Sequence, residues 1–426
     1  MNQALPTTDK PRFTPYQKLV VTVLALLQFT IILDFMVLSP LGTILIKELS
    51  ITPARFGLVV SAYAFSAGIS GVLAAGFADK YDRKKLLMVF YTGFLVGTAM
   101  CAMATDFHSL LIARIVTGLF AGVVGSASMA IVTDLFPIQM RGRVMGFIQM
   151  AFGGSQVLGI PIGLLLATRW GWHSTFWMIV VFGILLGALI LLQMKPVTEH
   201  LKLKSDKNPL EHFVHTISHK NYLLGFLGTM LLATGGFMIM PFASTFTTNN
   251  LGIHQDQLPQ LYLITGICSL VLMPLIGRVS DKVDKYLIFC IGTALSMLMI
   301  GIYTNLVHTS FLVLTVINII MFTGIMSRMI PAGAITSAIP QPQDRGAFMS
   351  INSSVQQVSG GIAATISGMI IVENPDKSLG HFDTVGYVTI AAMLVAAVIM
   401  YFVARQVQHK LGRPLSSKPV GEALAT

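Results

Sequence analysis

Charge is what this chain has least of. Only 11% of its 426 residues are Asp, Glu, Lys or Arg, 54% are apolar, and the mean hydropathy is +0.75. A chain so poor in charge cannot keep the surface of a water-soluble globule hydrated, which excludes soluble enzymes and soluble binding modules. Cysteine is scarcer still. Cys101, Cys268 and Cys290 lie in separate apolar runs, so neither a disulfide framework nor a thiolate metal site is implied, and no cofactor is expected. No Ser/His/Asp grouping, phosphate-binding glycine loop or pair of carboxylates stands in the apolar regions, so an enzyme is the reading with least support. Nor does the start resemble a cleaved signal, because the polar MNQALPTTDKPRF leads into an apolar run of full spanning length.

What the chain does have is apolar runs long enough to cross a bilayer, where backbone polar groups must be satisfied inside a helix or a closed barrel. The runs show no strict alternation, so they are helices. About twelve spans fit between Leu19 and Arg405, which places both termini on one side. Of the 28 Lys and Arg residues, 22 then fall on that side and four (Lys47, Arg55, Arg169 and Lys377) on the other, with Arg114 and Arg328 inside spans. The positive-inside rule makes the termini cytoplasmic. Anionic lipid headgroups account for the net charge of +10, and nucleic acid is not required.

Gly76 to Lys85, GFADKYDRKK, is a compact charged turn between two such runs, and Gly277 to Lys285, GRVSDKVDK, repeats its Asp-Lys-x-Asp-basic core. Asp79, Lys80, Arg83 and Lys84 in the first copy, and Gly277, Asp281, Lys282 and Lys285 in the second, resemble the loop between helices 2 and 3 of the major facilitator superfamily. Ala75 stands at the family's first glycine, and Asp82 and Asp284 at its second. The resemblance covers nearly the whole chain and is nearest to the twelve-helix drug and sugar efflux proton antiporters. It implies an all-α membrane protein of two six-helix repeats. The halves are 1–194 and 221–405, joined by a cytoplasmic linker at 195–220 and followed by a cytoplasmic tail at 406–426. Other repeated segments agree: DFMVLSP from Asp34 with GFMIMPF from Gly236, QVLG from Gln156 with QVSG from Gln357, and RGRVMG from Arg141 with RGAFMS from Arg345. Parallel repeats of this kind place the substrate between them near the bilayer midplane.

Several residues break the apolar pattern. Asp34 is the only acid deep inside a span, and an intramembrane carboxylate is a functional group by default. A purely local role would be a hydrogen bond to Thr30, one turn away. Arg114, Gly118, Gly122 and Gly125 share one helical face, which lets a neighbouring backbone approach, and the resemblance links an Arg and Gly at these positions to proton coupling. The resemblance also pairs Asp134 with Arg83 as a latch on the cytoplasmic face. It extends the gate to Asp79, Lys84, Asp281 and Lys285, although such charges can equally be solvated anchors. In the fifth span Gly159, Pro161 and Gly163 resemble the bent element of exporting members, with Ile160 interposed and one glycine missing. Proline there removes a donor and kinks the helix. Arg328, with Gly324 and Ala332 a turn to either side, either binds an anionic substrate, pairs with Asp34 in one state, or bonds backbone carbonyls near Pro331. Gln28, Tyr63, Gln149, Gln156, Asn352 and Gln356 are polar candidates for the cavity wall. His212, His215 and His219 would share a face if the linker is helical, and an amphipathic surface helix is favoured there over a metal site.

The expectation is therefore a monomeric, proton-coupled exporter of a small organic compound in a bacterial inner membrane, working among membrane lipids by alternating access. A proton-coupled importer or a uniporter of a small solute, including an anionic one, is the alternative on the same fold. A membrane receptor or a lipid-moving protein is the alternative of another class.

Overall fold

The structure, a computed structural model, describes residues 13–202, 216–341 and 344–411. Helices begin where an apolar run meets a start signal. Helix α1, Pro15–Met36, opens on a reciprocal cap: Thr14 Oγ1 accepts the Gln17 N–H at 3.2 Å and Gln17 Oε1 accepts the Thr14 N–H at 3.0 Å. Helix α2, Pro53–Phe77, opens on Thr52 with Pro53 in its first turn. Asp82 caps α3, Arg83–Ala102, and Asp106 caps α4, Phe107–Leu135. Helix α5 consists of Ile138–Gly154, a π-helical turn Ser155–Gly159, and Ile160–Trp170; α6 is His173–Gln193. The second half holds α7 Lys220–Phe237, α8 Leu258–Lys282, α9 Lys285–Thr304, α10 Phe311–Ser337, α11 Arg345–Ile370 and α12 Phe382–Leu411. One hairpin of two-residue strands, Val372–Glu373 with Leu379–Gly380, is the only β-structure among the described residues.

Eleven of these helices are both long and apolar enough to span a membrane. The exception is α11, which has the length, 26 residues, but carries Ser354, Ser359, Ser367, Gly360, Gly361 and Gly368. Those small residues face protein, not lipid: Cβ atoms on Gly361 and Gly368 would meet Phe65 and the backbone of Pro53 at 3.1 Å, both on α2. The polar composition that lowers its hydropathy is what lets α2 and α11 touch.

The first apolar run does not form one helix: α1 stops at Met36, turns follow, and then comes a separate helix Gly42–Glu48. Helix α7 breaks at the corresponding place, passing through a 3₁₀ turn Met240–Phe242 into Ala243–Asn249. Each break holds a proline, Pro40 or Pro241, which cannot donate to a helical ladder. The last span runs on to Leu411, past the boundary expected at 405. In the linker, Glu199–Lys202 form a 3₁₀ turn. Residues 203–215, with His212 and His215, lie outside the described part.

The repeat holds at the level of single bonds. Asp82 and Asp284 cap α3 and α9 with nearly the same backbone angles, φ −54°, ψ 124° and φ −56°, ψ 124°. The next residue in each copy reaches back to the carbonyl five places earlier: Arg83 Nη1 to Ala78 O at 2.9 Å and Lys285 Nζ to Ser280 O at 3.1 Å. Both place positive charge at a helix C-terminus, where the macrodipole favours it.

Packing divides the molecule along its long axis. At the face opposite the termini a single apolar core runs through both halves, from Val37, Leu41 and Phe56 to Phe242, Ala364 and Phe382. At the termini face there are two cores, one built from α1 to α6 and the start of the linker, the other from α7 and α9 to α12. Hydrogen bonds between the halves cluster at the joined end: Ser39 Oγ to Met240 O, Ser244 Oγ to Ser39 O at 2.6 Å, and Thr43 with Thr245 and Thr248. The halves are thus closed on each other at the far face and keep separate interiors at the termini face.

Candidate functional site: a buried ion pair in the first half

Asp34 lies near the end of α1, two residues before the helix breaks, and is completely buried. Arg114, also completely buried, projects from α4 and places Nη1 2.6 Å from Asp34 Oδ2, with a longer approach of 3.4 Å to the Asp34 carbonyl. Thr98 of α3 donates to Asp34 Oδ1 at 3.2 Å and shares that hydroxyl with Phe94 O. Beneath the guanidinium lies the ring of Tyr63 from α2, its centroid 4.3 Å from Arg114 Cζ. Four helices therefore meet at one ion pair. A desolvated cation over an aromatic face gains about 2 kcal/mol, which helps to hold Arg114 where water cannot reach.

The α2–α4 contact that sets this geometry is a glycine contact. A Cβ on Gly118 would overlap Tyr63 O at 2.5 Å, and Gly122 sits against the Ala67 carbonyl. Without side chains at these positions α4 lies directly on the α2 backbone and carries Arg114 over Tyr63. Gly125, expected on the same packed face, opens instead on space, with nothing within 4 Å of a Cβ. The stripe has turned out of the contact by that point.

Three expectations change in detail. Thr30 bonds Leu27 O at 2.7 Å and approaches Tyr91 Oη at 3.4 Å; the hydroxyl on Asp34 comes from Thr98. The third span, in which no candidate residue is expected, thus supplies a site residue, and its only signal is a hydroxyl in an apolar run at the matching depth. Tyr63, expected on the cavity wall, is fully buried between Arg114 and Phe35, whose ring lies 5.3 Å away.

In the fifth helix, Pro161 stands two residues past the end of the π-turn Ser155–Gly159, and the N–H of the intervening Ile160 reaches back to Ser155 O. A π-turn widens the ladder where the proline has no N–H to give and its ring would otherwise press on the carbonyl four residues back. Cβ atoms on Gly159 and Gly163 would come within 2.5 Å of Leu33 Cδ1 and 2.8 Å of Thr175 Cγ2, so both glycines serve close contact, with α1 and α6. The opposite side of the turn meets the second half, where a Cβ on Gly266 of α8 would stand 3.0 Å from Val157 Cα. Gln156 in this turn is buried, and its Oε1 has no hydrogen-bond partner.

The remaining candidates are dispersed. Arg83 Nε pairs with Asp134 Oδ2 at 2.9 Å, and Lys84 Nζ caps Leu191 O at 3.0 Å; both interactions stay inside the first half. Asn352 accepts from Thr229 Oγ1 at 2.7 Å, while Gln28 and Gln356 are half-buried. The side chains of Asp79, Asp281 and Gln149 lie outside the described part. Arg328 is 2% exposed and pairs neither with Asp34 nor, through Nε and Nη2, with any carbonyl. Among the described residues no group of three or more metal-ligating side chains is found.

Twelve helices in two like halves, sealed on each other at one end and with a buried acid–base pair inside the first half, define a polytopic membrane protein. Its family follows from comparison. The model of the Major Facilitator Superfamily matches residues 24–231 and 225–425, and the chain belongs to that family of transporters. An uncharacterised MFS-type transporter of Bacillus subtilis (strain 168), YbcL, is 24% identical over 380 residues, covering 89% of this chain and 95% of the relative. A chloramphenicol resistance protein of Streptomyces lividans is 23% identical over 355 residues, 82% of this chain and 88% of that one. Among solved structures, a bacterial homologue of the human lysosomal transporter Spinster, in an inward-facing and unoccupied conformation, superposes with a TM-score of 0.71 at 15% identity, covering 96% of this chain and 100% of that one. At that identity the likeness concerns the fold.

Proposed function

We propose that this chain is a secondary active transporter that exports a small organic compound in exchange for protons. The observation that carries the reading is the Asp34–Arg114 pair at 2.6 Å with both side chains fully buried. Protonating Asp34 removes the counter-charge and leaves Arg114 held only by a ring face and the Asp34 carbonyl, a state costing several kcal/mol in a dry interior. The bundle can relieve that cost by opening the pair to water or by bringing another acceptor to Arg114. Either response moves α1 against α4. Proton occupancy and conformation are then linked, and one proton crossing a potential of 100 mV supplies about 2.3 kcal/mol to drive the cycle.

Export is favoured by the fifth-helix element, where a π-turn and Pro161 lie against both α1 and the second half, and by the resistance activity for which the Streptomyces relative is named. On the positive-inside reading the termini face is cytoplasmic, so the closed far face is external and the conformation faces inward. Arg328 supports the alternative of an importer or uniporter of an anionic solute on the same fold.

The test is flux in reconstituted vesicles of both orientations, with and without a pH gradient. Asp34→Asn is expected to abolish gradient-driven movement while leaving the protein in the membrane. Full gradient-driven activity in that variant would remove Asp34 from the coupling step.

A further inference from the structure

The two halves treat their buried arginines differently. In both, Nε and Nη2 have no hydrogen-bond partner, but Arg114 of the first half has Asp34 at Nη1, whereas Arg328 of α10, 2% exposed, has no such counter-charge. Among the described residues no carboxylate lies within ion-pair distance of it. Asp256, Asp284, Asp344, Glu373, Asp376 and Asp383 all stand at helix ends or in connections. The guanidinium lies between α7, α9 and α12: Nη1 is 3.3 Å from where a Cβ on Gly235 would be, Met393 lies against the same glycine, and the Phe289 ring centroid is 5.9 Å from Cζ. The next residue on α7, Gly236, is the repeat counterpart of Asp34, and a Cβ there would meet nothing within 4 Å. Where the first half supplies a carboxylate, the second has a glycine and room.

We propose that Arg328 is the recognition point for a carboxylate on the transported compound, so that the substrate class is small organic monoanions with an apolar body. The inference rests on reading the chain as a transporter and adds the chemistry of its cargo. A buried, uncompensated charge is among the most costly features a membrane protein can hold. Leaving it unpaired in the chain is sustainable when a ligand completes it. A guanidinium presents a planar fork that fits a carboxylate through two parallel hydrogen bonds. A phosphate dianion is disfavoured because no second cation accompanies Arg328 among the described residues. The Phe289 and Met393 walls suit an apolar remainder.

The purified full-length protein in detergent tests this by thermal unfolding with acetate, benzoate and salicylate, against neutral benzamide and against phosphate and chloride at equal ionic strength. At least one of the three carboxylates is expected to raise the unfolding temperature in a concentration-dependent way, with no shift from benzamide. The shift is expected to vanish in Arg328→Gln. Gly235→Asp would bring a carboxylate within reach of Nη1, so this variant is expected to be more stable without ligand and to ignore the anions; it also keeps the test decisive if Arg328→Gln does not fold. No shift with any carboxylate, an equal shift with benzamide, a shift from phosphate or chloride alone, or a benzoate shift retained in Arg328→Gln would each overturn the proposal. Carboxylate binding without proton-dependent flux in vesicles would defeat the transport reading and leave the anion site standing. Flux without any anion-dependent shift would do the reverse.

Discussion

Replacing Asp34 by Asn removes one charge and almost no volume, and its effect on stability can be worked from the contacts. Breaking a buried ion pair from one side costs about 3–5 kcal/mol, because the remaining charge is stranded. Asparagine still offers an oxygen where Oδ2 sits 2.6 Å from Arg114 Nη1, and a hydrogen bond to a charged donor returns about 1.5–3 kcal/mol of that. A net loss of about 1–3 kcal/mol is expected for Asp34→Asn, and the full 3–5 kcal/mol for Asp34→Ala. The protein therefore folds but is weakened, a finer outcome than an unaltered fold. Adding Arg114→Gln to Asp34→Asn removes the stranded cation, so the double variant should be more stable than the sum of the single losses predicts, by a coupling of about 0.5–3 kcal/mol. Thermal unfolding in detergent measures wild type, Asp34→Asn, Asp34→Ala, Arg114→Gln and the double variant, and vesicle flux measures coupling in parallel. If Asp34→Ala is no worse than Asp34→Asn, or the two sites prove additive, the pair does not carry the energy assigned to it.

Arg83→Ala should free the loop between α2 and α3 by removing the 2.9 Å bonds to Asp134 and to Ala78 O, a loss of about 1–2 kcal/mol after allowing for the partial exposure of Asp134. Faster tryptic cleavage at Lys80, Lys84 and Lys85 is the readout, and an unchanged rate counts against the contact. Gly57→Ala would place a Cβ 2.8 Å from the Ala364 carbonyl and should force α2 from α11 at the far face. An overpacking cost of about 1–3 kcal/mol would favour opening there, seen as faster maleimide labelling of Thr43→Cys in a chain lacking Cys268 and Cys290; slower or equal labelling would refute it. Asp106 caps α4, and its carboxyl is held below the usual range by the N–H groups of Ser109 and then His108. Because the folded pKa is the lower one, the cap stabilises fully above the unfolded value of about 3.9 and is lost as pH falls through the folded value. The difference in unfolding temperature between wild type and Asp106→Ala should be flat from neutral pH down to about 5 and shrink below 4; a difference constant to low pH would show that charge plays no part.

The spans were legible because a bilayer leaves a chain few ways to cross it, and a charged turn such as Asp79 to Lys85 can only lie outside. The features that escaped reading are those decided between helices. Asp34 and Arg114 each stand out as a charge in an apolar run, but nothing in one span says which residue of another it will meet. The pairing depends on Gly118 and Gly122 laying α4 on α2. Thr98 and Tyr63 carry no mark that separates them from ordinary packing residues, since their role comes only from lying at the depth of a charge on a neighbouring helix. Helix α11 shows the converse, because hydropathy passes over a segment whose small residues serve contact with other helices, Gly361 and Gly368 with α2 and Gly360 and Ser367 with the end of α7.

The repeat shows which parts of the molecule are scaffold. The Asp82 and Asp284 caps, the Arg83 and Lys285 reach to a carbonyl five residues back, and the breaks after α1 and α7 are built twice from similar residues. They do the same work in both halves, which is to end and start helices at a membrane surface. The interior charges are not built twice. Asp34 aligns with Gly236 in the repeat, while Arg114 and Arg328 stand at different depths of α4 and α10. Symmetric ends with asymmetric interiors suit two bundles that must rock against each other as similar bodies while only one holds the titrating pair. The other is left with a charge to be answered from outside the chain. On that division of labour, exchanging the interior residues between halves, as in Asp34→Gly with Gly236→Asp, should leave the helices and their ends in place and destroy coupling. A swapped protein that still moves protons with its cargo would show that the asymmetry is incidental.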